Sequence, residues 1–106
     1  RSMIKVTDET FENFKNNEKK NKILKLGAKW CGPCISSLPA CQELSQELEN
    51  EVKIGELDIE EAINTATMLA CKSVPLFIKF DENGKELSRK VGWPGKAELK
   101  DWIVSN

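Results

Sequence analysis

The chain contains no histidine. That absence excludes Ser-His and Cys-His catalysis, a His-ligated metal and an imidazole switch near neutral pH. Acid–base chemistry must then come from Cys, Asp, Glu or Lys. No apolar run approaches the roughly 18–20 residues of a membrane span, and the longest cluster, Val74 to Phe80, contains Pro75 and Lys79. The start carries no signal-like apolar segment. Arg1-Ser2 ahead of Met3 reads as a cloning remnant with Met3 as the native start, and a trimmed start would have taken any export signal with it. Basic blocks are also missing. With 16 Lys and Arg against 17 Asp and Glu, the net charge of -1 argues against nucleic acid or an anionic membrane as the main partner. Repeats, low-complexity tracts and Pro/Gly/Ser-rich linkers are absent, so residues 1–106 read as a single domain.

What is present is a globular composition, 40% hydrophobic and 31% charged, and four cysteines. Four cysteines in a short chain leave three readings: a disulfide scaffold, a metal site or a redox catalyst. Alternation at Ile4-Lys5-Val6 predicts a short strand, after which Thr7 or Asp8 caps a helix carrying Phe11 and Phe14. Ile23 to Ala28 reads as a strand whose odd member is Lys25. Leu38, Cys41, Leu44 and Leu48 predict a long amphipathic helix to about Asn50, kinked at Pro39. Val52 to Ile59 reads as a strand, and Glu60 to Ala70 as a helix with an acidic first turn. Leu76 to Phe80 and Glu86 to Val91 form a hairpin around Asp81-Glu82-Asn83-Gly84, and Leu99, Trp102 and Ile103 mark a last helix. The order β-α-β-α-β-α-β-β-α implies an α/β fold, a mixed central sheet with helices on both faces.

Trp30-Cys31-Gly32-Pro33-Cys34 lies between a strand and a helix. A helix N-terminus offers unpaired N–H groups and partial positive charge, so a thiol at Cys31 there ionises more readily. Two intervening residues let the sulfurs meet in a small ring, with Cys34 one turn deeper as the resolving thiol. Pro33 suits the first turn, where its missing N–H costs nothing. Cys41, seven residues after Cys34, lies roughly 10 Å further along a helix, beyond the roughly 7 Å reach of a disulfide. Its place on the leucine stripe makes it a core residue, and Cys71 also reads as packed.

At these residues the chain resembles the thioredoxin family, whose active-site string is Trp-Cys-Gly-Pro-Cys. The resemblance runs from about Ile4 to the end. Val74-Pro75 falls where the family has its cis-proline loop, and Ala28, Pro39, Asp58 and Gly92 match typical residues. The resemblance implies dithiol–disulfide exchange. Cys31 attacks a substrate disulfide, Cys34 resolves the mixed disulfide, and a flavin-dependent thioredoxin reductase or similar donor restores the dithiol. The Cys31–Cys34 disulfide is then the only redox group, without a cofactor. Gly32-Pro33 between the cysteines matches reductant members. Trp30, Ile59, Ser73, Val74, Pro75, Gly92 and Trp93 map onto the family's substrate-binding surface, with Trp93 as an aromatic ledge. A monomer in the cytoplasm, acting on disulfide-containing proteins, is the expected form. The alternatives are an exported or partner-dedicated reductase, a non-catalytic scaffold and a four-cysteine zinc module.

One departure is chemical. The family's buried Asp, six residues before the first Cys, is Lys25 here, and the Lys often found on the neighbouring strand is Glu56. The sequence predicts a charge-reversed proton-transfer pair. A buried ammonium near Cys34 favours its thiolate, where a carboxylate disfavours it.

Overall fold

The computed structural model describes residues 3–105, so Arg1 and Ser2 lie outside the described residues. Ten elements follow in order: β1 (Ile4–Val6), α1 (Phe11–Asn16), β2 (Asn21–Gly27), α2 (Gly32–Ser36), α3 (Leu38–Glu47), β3 (Val52–Asp58), α4 (Ile63–Met68), β4 (Leu76–Phe80), β5 (Glu86–Val91) and α5 (Lys96–Val104). The strands form one mixed sheet in the order β1-β3-β2-β4-β5. β1, β3 and β2 run parallel, with Lys25 beside Glu56 in register, and β4 and β5 join antiparallel.

Period-two alternation sorts side chains to the two faces. Leu24, Leu26, Leu57, Ile78 and Phe80 pack with Phe11 and Phe14 of α1 and Ala66 of α4. Ile23, Ile54 and Phe77 pack on the other face with Cys41 and Leu44 of α3 and Leu99 and Ile103 of α5. Cys41 is thus a buried, free core thiol, and Cys71 is free and half-buried. The centre of the sheet also buries Lys22, Lys25 and Lys79. Each finds backbone carbonyls. Lys22 Nζ donates to Glu18 O at 2.9 Å and Glu82 O at 3.1 Å, and Lys79 Nζ donates to Ser105 O at 2.8 Å and also to Trp102 O. Burial pushes all three ammonium groups below the ordinary lysine pKa.

Three elements differ from the sequence reading. The long helix after the cysteines is two helices broken at Ser37, with Pro39 in the first turn of the second. Pro39 has no N–H to continue the earlier turn, so the chain restarts there. The helix expected from Glu60 begins only at Ile63, because Asp58 ties the preceding residues into a turn through Glu60 N at 2.8 Å and Glu61 N at 3.1 Å. Asp8 does not cap α1, whose N-cap is Thr10. Its carboxylate instead reaches α4, accepting from Thr65 N at 2.8 Å, Thr65 Oγ1 at 2.7 Å and Asn64 N at 3.4 Å. The Thr65 hydroxyl holds the Asp8 carboxyl below its usual pKa, assisted by those backbone donors.

Gly55 sits where β3 passes beneath α1. A Cβ there would come within 2.8 Å of both Phe14 Cε1 and Val6 Cγ2. Gly55→Ala is therefore expected to destabilise the fold by about 1–3 kcal/mol, the usual range for overpacking. Urea unfolding of the two proteins measures it.

Candidate active site

β2 ends at Gly27, and the chain turns through Ala28 to Trp30 into α2. Cys31 is the N-cap residue of α2, in an extended conformation, and its sulfur accepts from Cys34 N–H at 3.2 Å. This is the capping arrangement that satisfies an orphan donor at a helix start, with sulfur in the role usually taken by oxygen. Cys31 and Cys34 are joined by a disulfide with Cα atoms 5.2 Å apart. Both are buried, at 5% and 4% exposure, and pack with Ala28, Ile59 and Val74. Cys31 Sγ lies 3.7 Å from Val74 O.

Around this pair stand the residues assigned to a groove. Trp30 is 65% exposed, and its indole N–H donates to Glu60 Oε2 at 2.9 Å. The Val74–Pro75 peptide bond is cis. Gly92 N–H donates to Pro75 O at 2.8 Å, with Gly92 at φ 86°. That backbone position favours glycine, which carries no Cβ to clash. Ser73 is exposed, and Ile59 and Val74 are half-buried. Trp93 is also half-buried, with its ring 6.4 Å from that of Phe77 and packed on the α3/α5 side of the core. Only part of it is available as a ledge.

Behind Cys34 the arrangement is different. Lys25 is 3% exposed, and its Nζ donates to Cys34 O at 2.8 Å. The same carbonyl accepts from Ser37 Oγ at 3.1 Å. The helix break at Ser37 leaves the vacancy these donors fill. The turn at Cys34 is not continued by a backbone N–H from the next helix, so side chains complete it. Lys25 and Glu56 are register neighbours and line one cavity of about 350 Å3 together with Cys34 and Gly27. They share that space without a salt bridge among the described residues. Burial lowers the Lys25 pKa, opposed first by the Cys41 thiol and then by Glu56. Burial raises the Cys41 pKa, and Lys25 opposes that shift. Gly27 leaves the back of Cys34 open, since a Cβ there would stand 3.2 Å from Cys34 Sγ.

Sequence reasoning missed Glu60 as the partner of Trp30, Ser37 as a second donor to Cys34, and Cys41 as a neighbour of Lys25. Ser37 carried a usable signal: a serine three residues after Cys34 bonds backward readily, and Pro39 guarantees a free carbonyl nearby. Among the described residues, no group of three or more acidic, histidine or cysteine side chains is placed to hold a metal.

The family model described as thioredoxin matches residues 2–105. The chain belongs to the thioredoxin family. Among curated relatives, a thioredoxin of Buchnera aphidicola subsp. Acyrthosiphon pisum is 38% identical over 104 residues, covering 98% of this chain and 95% of the relative. A thioredoxin of Rickettsia typhi is 35% identical over 98 residues, covering 92% of each. A solved structure from work on how a yeast mitochondrial 1-Cys peroxiredoxin has its thiol resolved by glutathione and thioredoxin systems matches with a TM-score of 0.84. It is 22% identical and covers 96% of this chain and 93% of that one, a likeness of fold. Family membership and the Cys31–Cys34 disulfide make this protein a thioredoxin-type thiol–disulfide oxidoreductase, a family that works without a cofactor.

The lowered Lys25 pKa has a stability consequence. Between its folded value and the ordinary 10.5, the unfolded chain still holds a proton that the folded chain has released. Stability gains a term that rises with pH across that alkaline window. Lys25→Met is expected to reduce this rise, as followed by urea unfolding from neutral pH up to the ordinary lysine value.

Proposed function

We propose that Cys31 is the nucleophile and Cys34 the resolving thiol in the reduction of protein disulfides. The carrying observation is the Cys31 sulfur at the N-cap of α2, bonded to Cys34 and accepting the Cys34 N–H. In the dithiol state that N–H and the helix N-terminus favour a thiolate on Cys31. The thiolate attacks one sulfur of a substrate disulfide and expels the other as a thiolate. Cys34 then attacks Cys31 Sγ, the bond from Cys31 to substrate breaks, and the internal disulfide closes.

The groove around Cys31 receives an extended substrate segment. Backbone groups of Val74, next to Pro75, pair with it in strand fashion. Trp30, Ile59, Ser73, Gly92 and the exposed part of Trp93 line its path. Gly32 and Pro33 keep the turn between the sulfurs tight. Glu56 takes the proton that Cys34 gives up, through water in the shared cavity, with Lys25 as its counterpart of opposite sign. A thioredoxin reductase or equivalent dithiol donor returns two electrons and two protons. Residues 1–106 act as one domain and a monomer. The two unpaired thiols, Cys41 and Cys71, fit a reducing compartment such as the cytoplasm.

Cys31→Ser is expected to abolish reduction of a disulfide-containing protein, and Cys34→Ser to accumulate covalent substrate adducts on Cys31, read by mass spectrometry. Biological activity retained by Cys31→Ser would instead indicate a scaffold. Glu56→Gln is expected to slow turnover about tenfold or more and to remove one ionisation from the pH–rate profile. An unchanged profile in both Lys25→Ala and Glu56→Ala would retire the proton-transfer pair.

A further inference from the structure

Lys25 occupies a position that a proton carrier would not need. Its Nζ is spent on the carbonyl of the resolving cysteine itself, at 2.8 Å, rather than on Glu56. The donor is 3% exposed, so its charge acts through protein rather than water. Titratable groups facing it are Glu56 from β3 and the Cys41 thiol from α3. Asp58, Glu61, Lys5 and Lys29 also line the cavity. Glu61 is engaged by Lys5 at 3.3 Å and Lys29 at 3.5 Å, an exposed trio that carries a residual positive charge screened by water.

We propose that Lys25 is a positioning residue for the second half of the exchange: its ammonium, anchored on Cys34 O, stabilises negative charge on Cys34 as that sulfur attacks the mixed disulfide. This rests on the assignment of Cys34 as resolving thiol. The balance is simple. Cys34 loses its proton and supplies an electron pair to Cys31 Sγ, the bond between Cys31 and the substrate sulfur breaks, and the departing thiolate takes up a proton. The negative charge that appears on Cys34 meets a fixed positive charge across one peptide group. In that geometry the charge of Lys25 matters, and its hydrogen bond alone does not suffice. The first half of the exchange, in which Cys31 attacks, is served by the helix N-terminus and stays nearly independent of Lys25.

The two halves separate in time with an aromatic disulfide that releases one coloured thiolate on attack by Cys31 and a second on resolution by Cys34. The measurement uses the reduced protein carrying Cys71→Ser, which removes a half-buried thiol outside the site. Lys25→Gln keeps a donor without charge, Lys25→Met removes both, and Lys25→Arg keeps both. The expected result is a second phase slowed about tenfold in Gln and Met alike, with its pH dependence moved up by about one unit. The first phase should change less than about twofold, and Arg should restore most of the second-phase rate. A Gln variant indistinguishable from the parent would overturn the proposal, leaving only a structural hydrogen bond. Equal slowing of both phases, or failure of the Gln and Met variants to fold, would overturn it as well. If the parent itself releases no second thiolate, it is the assignment of Cys34 that fails, in a measurement that involves no Lys25 variant.

Discussion

The carbonyl of Cys34 has to be satisfied from the side. The helix that starts at Cys31 breaks at Ser37, so that carbonyl has no continuing backbone donor, and a buried carbonyl cannot be left bare without a cost of about 1–3 kcal/mol. Ser37 Oγ and Lys25 Nζ meet that requirement. One consequence is mechanical: α2 is tied to β2, the central strand, and the disulfide it carries is fixed to the sheet. The other is electrostatic, because one of the two donors is a lysine.

Burial of a lysine is expensive unless its hydrogen bonds are replaced. This chain does it three times and by one device. Lys22, Lys25 and Lys79 each hand their N–H groups to carbonyls, Lys79 at the last turn of α5 and Lys22 at the loops preceding β2 and following β4. Lys22 and Lys79 serve closure of the fold. Lys25 uses the same device at a carbonyl belonging to a reactive residue, so a structural solution also becomes a chemical one.

Much of this was readable in advance, for physical reasons. Alternation points to β1 and β3, while the apolar run of β2 and the hairpin of β4 and β5 mark the others; β2 and β4 are covered on both faces and so do not alternate. The Asp81 to Gly84 turn declared itself through residues that bond their own backbone, and Gly84 does adopt φ 86°. The cysteine string placed the redox pair within one turn. Three things were not legible. Helix starts depend on acceptors from elsewhere: α4 draws its capping carboxylate from Asp8, on a segment 57 residues away from Thr65. Lys22 and Lys79 gave no signal, since a lysine in an apolar strand reads as an edge or a snorkel until its carbonyl partners are known. Lys25 and Glu56 are register neighbours, but nothing local in the sequence reveals that Lys25 bonds a carbonyl rather than a carboxylate.

That preference follows from geometry rather than charge. An ion pair between neighbouring strands needs both side chains to meet over the sheet, and desolvation offsets much of its attraction. Cys34 O projects toward the same space from above and is fixed there by α2. Lys25 therefore gains a rigid acceptor at 2.8 Å, while Glu56 stays half-buried along the cavity. A lysine and a glutamate exchanged in sign relative to the family do not reproduce the family's pair as a mirror image. Lys25 is bonded at the peptide of Cys34, and Glu56 lines the same cavity beside it, half-buried.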